Sequence, residues 1–412
     1  MQSNYRRLGD YIRSVNVRNS DDSIKELLGI NIDKFFMPSV ANVVGTDLSK
    51  YKVVKRNQFA CNRMHVGRDH RIPVALSNKQ HQFIVSPAYD VFEIIDESIL
   101  LPEFLMLWFK RKEFDRNAWF YTDADVRGGL SWDAFTGIQF PLLSIEKQKE
   151  LVAEYQTVEQ RIQLNNQLCA KLEETAQTIY RHWFEDFEFP SPSFGGTEGR
   201  LPYKSSGGAM VYNEELGKEI PEGWKVGKLG EYIQSYSKSH DFKKSQLIFF
   251  NTSDILDGEF LHCNYSNVDE MPGQAKKSIQ KNDILYSEIR PNNRRFALVR
   301  NEADDYVVST KLMVLRRINN YLGLHRLYYY LINDATIKDL QDSANGRSGT
   351  FPQITFDEDL RDRKIVVAEK QIENIYDNIL KAIYNSVYAR KDQNKKLEEL
   401  KSLLLGKMAV EN

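Results

Sequence analysis

Two long stretches of the chain repeat apolar residues at alternating steps of four and three. This spacing is typical of the seam of a long amphipathic helix that packs against a partner helix. The first stretch has its seam at Leu151, Tyr155, Val158, Ile162, Asn165, Cys169, Leu172, Ala176 and Ile179. The second has its seam at Ile372, Tyr376, Ile379, Ile383, Ser386, Arg390, Gln393, Leu397, Leu400 and Leu404. The pattern predicts two long helices, each with one stripe that must be covered.

The two seams differ in their polar positions. The second has three in succession (Ser386, Arg390 and Gln393), whereas the first has only Asn165. Buried polar groups in a seam fix the register of a helix pair at some cost in stability. We expect each helix to be the partner of the other within one chain. Two ordinary packing helices, or a seam between two copies of the chain, are the alternatives.

The segments before the two helices have a different pattern. They contain short runs of β-branched and aromatic residues, such as FIVS from Phe83 and YVVS from Tyr306, separated by turn-forming residues. The two segments also resemble each other, because RLGDYI from Arg7 returns as KLGEYI from Lys228. Four such landmarks recur in one order at offsets of 221 to 225 residues. The sequence therefore predicts a duplicated α+β unit, each copy consisting of a strand-rich part and a long helix.

A stretch rich in small residues separates the two copies. Between Pro190 and Ala209, twelve of twenty residues are Pro, Gly or Ser, which is typical of a linker.

Composition narrows the class of protein. The chain has 412 residues, of which 42% are hydrophobic and 27% charged, as in ordinary globular proteins. No apolar run reaches the ~18 residues that a membrane helix needs, and the N-terminus lacks the apolar core of a signal peptide. Three separated cysteines (Cys61, Cys169 and Cys263) give neither a disulfide framework nor a zinc site. We expect a cytoplasmic protein that does not associate with membranes.

The net charge of −1 hides two basic segments at equivalent places in the two copies. Residues 55–79 contain six Lys or Arg and two His against one acid, and residues 276–300 contain seven Lys or Arg against two acids. A single basic run is usually a solvated face, but a duplicated one mixed with Asn and Gln favours a polyanion whose bases are read. A second loop in each copy, VRGGLSWDAF with Arg127 and GRSGTFPQIT with Arg347, combines Gly, hydroxyl groups and Arg. That loop is equally consistent with a simple turn.

Sequence signatures of catalysis are missing. The chain has no GxxxxGK[ST] phosphate loop, no HExxH, no CxxC and no [DN]PP[FY] tetrapeptide. His262 and Cys263 are adjacent, but no further metal-ligating residues support them. We expect a protein that recognises rather than catalyses, with no bound metal and no cofactor.

Several segments resemble the specificity subunits of type I restriction-modification enzymes. IPEGWKVGKLGEYI (220–233) looks like the start of a target recognition domain of that family, and TIYRHWFEDFEF (178–189) looks like the end of its central conserved helix. The family commonly begins its long helices with a motif like PLPPLEEQ. PLLSIEKQ (141–148) is similar to it, whereas VVAEKQ (366–371) lacks the prolines, which leaves the start of the second helix open by a few residues.

The resemblance implies an α+β fold: two globular α/β target recognition domains, separated by two long conserved helices packed as an antiparallel coiled coil, with a pseudo-twofold internal repeat. The implied boundaries are a first recognition domain at 1–143, a central conserved helix at 144–189, a linker at 190–218, a second recognition domain at 219–364 and a C-terminal conserved helix at 365–412. Each domain would read one half of a bipartite, non-palindromic site in double-stranded DNA.

The resemblance also implies partners. The helices would dock two methyltransferase subunits, which carry S-adenosylmethionine, and restriction subunits with motor and nuclease activity would join through the complex. A recognition module of a related methylation or nuclease system, or a coiled-coil adaptor without DNA contact, is the alternative.

The candidate DNA-binding residues follow from the basic segments and the Gly-rich loops. In the first copy they are Arg63, His65, Arg68, His70, Arg71, Lys79 and Arg127. In the second copy they are Lys276, Lys277, Arg290, Asn292, Asn293, Arg294, Arg295 and Arg347. Among them, we expect Lys79, Lys276 and Lys277 to contact phosphates and the others to face base edges.

Overall fold

The chain divides into two units, and both long helices contribute residues to each of them. The computed structural model describes residues 4–39, 45–64, 66–122, 128–190 and 201–408. The first unit comprises residues 1–167 and 390–412, and the second comprises residues 168–389. Each long helix contributes one part to each unit, so the first unit is made of two separate segments of the chain, whereas the second is one continuous segment.

In its described residues, the first unit contains ten short strands and the helices between them. Its strands are β1 (Tyr5–Arg7), β2 (Ile12–Val15), β3 (Leu28–Ile30), β4 (Phe36–Pro38), β5 (Lys52–Val54), β6 (Phe59–Cys61), β7 (Val74–Leu76), β8 (Phe83–Val85), β9 (Asp90–Ile94) and β10 (Gln139–Pro141). Its helices are α1 (Val66–Asp69), α2 (Pro102–Phe109), α3 (Lys112–Phe120), α4 (Trp132–Gly137) and the first part of α5 (Ile145–Phe184).

The second unit follows a similar sequence of elements. Its strands are β11 (Met210–Asn213), β12 (Lys218–Pro221), β13 (Lys225–Lys228), β14 (Ile233–Ser235), β15 (Gln246–Phe250), β16 (Ile255–Leu256), β17 (Glu259–Phe260), β18 (Ser266–Asn267), β19 (Ala275–Ser278), β20 (Ile284–Ser287), β21 (Phe296–Leu298), β22 (Tyr306–Ser309), β23 (Leu312–Arg317) and β24 (Lys364–Val367). Its helices are α6 (Leu324–Ile332), α7 (Asp334–Arg347) and the first part of α8 (Lys370–Lys407).

The strand order confirms the duplication. The first unit has an antiparallel sheet in the order β2-β9-β6-β7, and the second has one in the order β14-β23-β20-β21. A separate antiparallel pair joins the first and last strands of each copy, β1 with β10 and β13 with β24. A further pair, β5 with β8 and β19 with β22, also recurs. The α+β class is therefore confirmed.

Alternation along the strands explains how the central sheet of the first unit is buried on both faces. Phe59 and Phe92 point to one hydrophobic core, whereas the neighbouring Ala60 and Val91 point to another. Successive side chains of a strand point to opposite faces, so a strand buried on both sides has a continuous apolar run. The rings of Phe59 and Phe92 stack at 4.9 Å between centroids.

The two long helices pack antiparallel in each unit. In the first unit, Val158 and Ile162 of α5 join a cluster with Leu404 of α8, and the Asn165 amide donates hydrogen bonds to Gln393 Oε1 (2.9 Å) and Asn394 Oδ1 (2.8 Å). Residue numbers thus rise along α5 as they fall along α8. The polar seam position Asn165 is fully buried and lies beside polar residues of α8, as its register role requires.

The same antiparallel order holds in the second unit. Cys169 of α5 lies next to the carbonyl of Val387, with 3.7 Å between Sγ and O. Farther along α5, the ring of Trp183 is 5.4 Å from that of Tyr376. The predicted pairing of the two helices within one chain is confirmed in both units.

Part of the segment predicted as a linker has regular structure. Strands β11 and β12 form an antiparallel hairpin over residues 210–221. Before it, the ring of Tyr203 stacks on Phe189 at 4.6 Å, and Phe189 in turn stacks on Trp224 at 4.8 Å. Aromatic residues scattered among the Pro, Gly and Ser therefore attach residues 201–218 to the second unit.

Candidate nucleic-acid interface

The structure brings the two predicted loops of the first copy together. The loop between β6 and β7 (62–73) meets residues 128–130: Gly67 N donates to Gly128 O (2.8 Å) and Leu130 N donates to Arg63 O (3.0 Å). A Cβ atom on Gly67 would lie 2.7 Å from the Cα of Gly128, and Gly128 has a φ of +58°. Glycine is therefore required at both positions, which gives the Gly-rich loop a structural role.

The equivalent loops of the second copy also meet. Here the loop between β20 and β21 (288–295) pairs with residues 350–354: Arg290 N donates to Pro352 O (3.1 Å) and Ile354 N donates to Glu288 O (2.8 Å). The Arg290 guanidinium reaches the Thr350 carbonyl at 3.4 Å. Each unit thus has one composite loop surface, made of the β6–β7 loop with 128–130 or the β20–β21 loop with 348–354. We call these the first and second loop surfaces.

A tight turn presents two asparagines at the tip of the second loop surface. Arg290 and Arg294 have φ angles of +46° and +53°, and the three residues between them form a single 3₁₀ turn. Left-handed φ angles in residues other than glycine are uncommon and store backbone strain. The turn leaves Asn292 and Asn293 exposed. Their side chains are the type that forms paired hydrogen bonds with adenine.

Other predicted residues of the second copy are bound to the protein itself. Arg294 forms ion pairs with Asp257 (2.9 Å) and Asp334 (2.8 Å). Arg295 donates to the carbonyls of Ser253 (3.0 Å) and Ile255 (2.9 Å). Arg347 pairs with Glu358 (2.6 Å) and Asp359. These three guanidiniums hold the loops in place, and any contact with a ligand would compete with those bonds.

The first copy shows a similar division. Arg63 is largely buried, with an ion pair to Asp90 (2.7 Å) and a hydrogen bond to the Leu130 carbonyl. Arg71 pairs with Asp33 at 3.0 Å. Arg68 and His70 are exposed: Arg68 pairs with the adjacent Asp69 (2.7 Å), and the His70 ring lies 4.7 Å from the ring of Trp119. The candidates His65 and Arg127 lie outside the described residues.

The predicted phosphate-binding lysines differ in their freedom to contact a ligand. Lys79 forms an ion pair with Glu26 (2.6 Å), and this hydrogen bond holds the pKa of the Glu26 carboxyl below its usual range. Lys277 donates to the Leu312 carbonyl (2.9 Å), and its burial lowers its pKa. Lys276, its neighbour on β19, is exposed. Lys276 is therefore the best placed of the three for a phosphate.

Several surface residues near the loop surfaces were missed from the sequence. On α3, Lys112, Arg116, Trp119 and Phe120 are exposed, and Trp119 contacts the first loop surface through His70. Near the second loop surface, Lys311 lies 3.8 Å from Glu288. A four-residue spacing of Lys112, Arg116 and Phe120 was the available signal, because it places them on one helix face.

Metal and membrane sites are not found among the described residues. Within these ranges no group of three or more His, Cys, Asp or Glu could hold a metal ion. None of the described helices has both the length and the hydropathy that a bilayer-spanning helix requires.

Comparison with known proteins shows which proteins this chain resembles. Residues 221–399 match the family described as the type I restriction modification DNA specificity domain. A stretch of 189 residues is 39% identical to the type I restriction enzyme HindI specificity subunit of Haemophilus influenzae. Both matches make the chain similar to type I restriction specificity subunits, each over less than half of the chain. That alignment covers 46% of the chain and 41% of the Haemophilus relative, so the chain spans less than half the length of that specificity subunit.

Two further specificity subunits are also similar to the chain. The MjaIX specificity subunit of Methanocaldococcus jannaschii is 20% identical over 331 residues, which are 76% of this chain and 70% of that relative. The crystal structure of the S subunit of M. genitalium matches with a TM-score of 0.59 and 13% identity, covering 98% of this chain and 95% of that one. At this identity the structural match supports the fold of the specificity subunit rather than any residue's role.

Proposed function

We propose that this chain is the DNA-reading subunit of a type I restriction-modification complex. Each unit would read one half of a bipartite, non-palindromic site through its own loop surface. Methyl transfer and cleavage would take place on other subunits, so this chain would need neither a cofactor nor a metal ion of its own.

The observation that carries the proposal is the pair of equivalent but chemically different loop surfaces. The strand order that supports them is the same in both units, whereas the exposed side chains are not: Arg68 and His70 in the first unit, Asn292 and Asn293 in the second. Two identical readers related by a twofold axis would require a palindrome. Two equivalent frames with different exposed residues favour two different half-sites.

Exposure and existing bonds rank the candidate contacts. We propose that Asn292, Asn293, Arg290, Arg68 and His70 face the bases, because the structure leaves them exposed at or near the loop tips. Arg68 and Arg290 also have bonds within the protein, but only to the adjacent Asp69 and to the Thr350 carbonyl. Lys276 would bind a phosphate. The paired residues Arg63, Arg71, Lys79, Lys277, Arg294, Arg295 and Arg347 would chiefly hold the loops in position, and they reach DNA only if an internal bond is exchanged for one to a phosphate or base.

The long helices would dock two methyltransferase subunits. Each helix has leucines on its exposed side: Leu164 and Leu168 on α5, and Leu400 and Leu403 on α8. Of these, Leu403 is the most exposed, at 67%. An apolar partner surface would cover these side chains. Restriction subunits would join the same complex without direct contact with the bases.

The test is to express the chain with its methyltransferase subunit and to map methylated adenines across a genome. The proposal predicts one bipartite motif: two short specified sequences separated by a spacer of fixed length and any sequence. Methylation by the purified chain alone would overturn the non-catalytic role. A stable complex with the methyltransferase that produces no sequence-specific methylation, combined with no salt-dependent DNA binding by the chain, would favour an adaptor instead.

A further inference from the structure

Three consecutive aromatic residues are exposed where α3 ends in the first unit. Trp119, Phe120 and Tyr121 are 46%, 79% and 51% exposed. Trp119 is the most exposed of the five tryptophans in the chain. The rings of Phe120 and Tyr121 contact each other edge to face at 5.3 Å. Contiguous exposed aromatic surface of this kind marks an interaction site more often than a solvated surface.

The charge on the same helix indicates a polyanion as the occupant. Lys112, Arg116 and Phe120 are spaced by four residues, so they lie on one face of α3, and all three are exposed. The other end of the aromatic group contacts the first loop surface through the 4.7 Å approach of the His70 and Trp119 rings. A basic and aromatic stripe next to a basic loop is the combination that binds phosphates and stacks on bases.

The equivalent helix of the second unit lacks this stripe. Helix α7 exposes three acids (Asp334, Asp339 and Asp342) and two basic residues (Lys338 and Arg347), but no aromatic residue. Two of the acids are paired with arginines, Asp334 with Arg294 and Asp339 with Arg363. The aromatic stripe is therefore a property of the first unit and not of the order of strands and helices that both units share. A need common to both copies, such as packing of the core, does not explain it.

We infer that α3 is a second DNA-contacting element of the first unit, in which Phe120 inserts as a wedge at a base step while Lys112 and Arg116 bind flanking phosphates. Apolar wedges partly unstack a base step and bend the duplex, and flexible pyrimidine–purine steps yield at the lowest cost. One half-site would then be read partly through its deformability. The inference rests on the proposed function, because it assumes that the duplex reaches the first loop surface.

The test uses the full chain and a duplex that contains the mapped bipartite site. 2-Aminopurine is placed at successive positions in both half-sites, because its fluorescence rises when a base is unstacked. Wild-type protein at saturation should raise the fluorescence at one step in one half-site only. Phe120→Ala should abolish that rise and weaken binding on the order of tenfold, the range observed for loss of one aromatic–base contact. Phe120→Trp should retain both.

A matched variant controls for the loss of an exposed ring. Tyr212 lies on the hairpin of the second unit and is 63% exposed, so Tyr212→Ala should leave affinity and fluorescence unchanged. Since Phe120 is 79% exposed, Phe120→Ala should unfold at the same temperature as the wild type, which separates a binding defect from a folding defect.

The outcomes distinguish this inference from the proposed function. If wild-type protein binds the site and Phe120→Ala behaves as the wild type in both assays, Phe120 does not insert as a wedge. The proposed DNA-reading function is then unaffected. If Phe120→Ala loses the methyltransferase subunit while its DNA affinity is unchanged, the patch is a protein interface and the inference is overturned. If wild-type protein shows no salt-dependent binding to the duplex, the proposed function and this inference both fail.

Discussion

The two units share a strand order but bury different charges. In the first, the ammonium of Lys34 donates to Asp115 of α3 (2.7 Å) and to the Phe109 carbonyl. In the second, Arg326 of α6 is fully buried with Glu373 of α8 at 3.7 Å. Its guanidinium lies 3.8 Å from the ring centre of Phe184 of α5. The first pair joins a loop to a helix of the same globular part, whereas the second joins the globular part to both long helices.

This difference shows that the two copies share the order of their sheet strands but not the positions of their buried charges. The repeated sheet order follows from the apolar pattern, which any set of similar hydrophobic side chains can satisfy. A buried charge instead needs its own partner, so each unit has acquired one at a different place. We therefore expect mutations of the sheets to behave alike in the two units and mutations of the buried charges to behave differently.

We expect the largest effect on stability from the removal of Arg326, the buried charge of the second unit. Arg326→Met would leave the Glu373 carboxylate buried without its counter-charge, and such losses cost about 3–5 kcal/mol in the free energy of unfolding. Urea denaturation would measure it, with the exposed Lys381→Ala as a control that should change the value by less than ~0.5 kcal/mol.

The pH dependence of Arg326→Met provides a second check on the Arg326 pair. Burial raises the pKa of Glu373, and the charge of Arg326 lowers it. Without Arg326 the carboxyl binds a proton more readily, so the deficit of the variant should shrink in acid. A deficit under 1 kcal/mol at every pH would show that the pair contributes little.

The buried lysine of the first unit should make the free energy of unfolding depend on pH. Burial lowers the pKa of Lys34 from 10.5 to about 8, so between these values the unfolded chain binds a proton that the folded chain has released. The free energy of unfolding should therefore rise with pH across this window, by about 3 kcal/mol in total. Denaturation at pH 7.5, 9 and 10.5 would follow the rise in the wild type. Lys34→Met should remove this contribution, and equal slopes in the two proteins would contradict the assignment.

The helix pair and the duplication could be predicted because both rest on periodic apolar positions. Seam residues such as Leu151, Tyr155 and Ile372 are buried as their spacing indicates. One predicted seam position of α8 is not covered, since Leu400 is 42% exposed, although Leu404 one step later is buried against α5. Spacing alone identifies the apolar stripe of a helix but not which of its residues the partner covers.

One glycine from each loop surface offers a test that compares the two units directly. Gly67→Ala would place a Cβ 2.7 Å from the Cα of Gly128. This clash should lower the free energy of unfolding by about 1–3 kcal/mol and push apart the two segments of the first loop surface. Gly349→Ala in the second unit meets no atom within 4 Å, so it should change stability by under ~0.5 kcal/mol. Both variants would be compared by denaturation and by duplex affinity. A similar loss in both would mean that the close approach of the two loops is not what distinguishes the units.

The candidate site was only partly predictable. Duplicated basic segments located the loops, and the structure brings each pair of loops together. The sequence could not separate arginines that face solvent from those held by acids distant in the chain, such as Arg294 by Asp257 and Asp334. Those pairings depend on tertiary contacts that no local pattern encodes. The aromatic end of α3 was missed because its residues look like a helix core until the fold shows them exposed.

The smallest expected effect compares two residues of the second unit. Lys276→Ala should weaken binding to every duplex alike and reduce the slope of log affinity against log salt by about one. Asn293→Ala should leave the slope unchanged and lower the preference for the specific site over random DNA. Fluorescence anisotropy at four salt concentrations would measure the affinity and the salt slope of both variants. If Asn293→Ala reduced the slope and Lys276→Ala lowered the preference for the specific site, Asn293 would be the phosphate contact and Lys276 the base contact.

The central claim is that each unit reads its own half of the site. It is tested most directly by mapping methylated adenines made by the methyltransferase complex with altered loop tips: Asn292→Ala with Asn293→Ala in one complex, and Arg68→Ala with His70→Ala in another. The account predicts that each pair of changes relaxes one half of the bipartite motif and that the two pairs affect opposite halves. Relaxation of the same half by both, or of both halves by either, would contradict it.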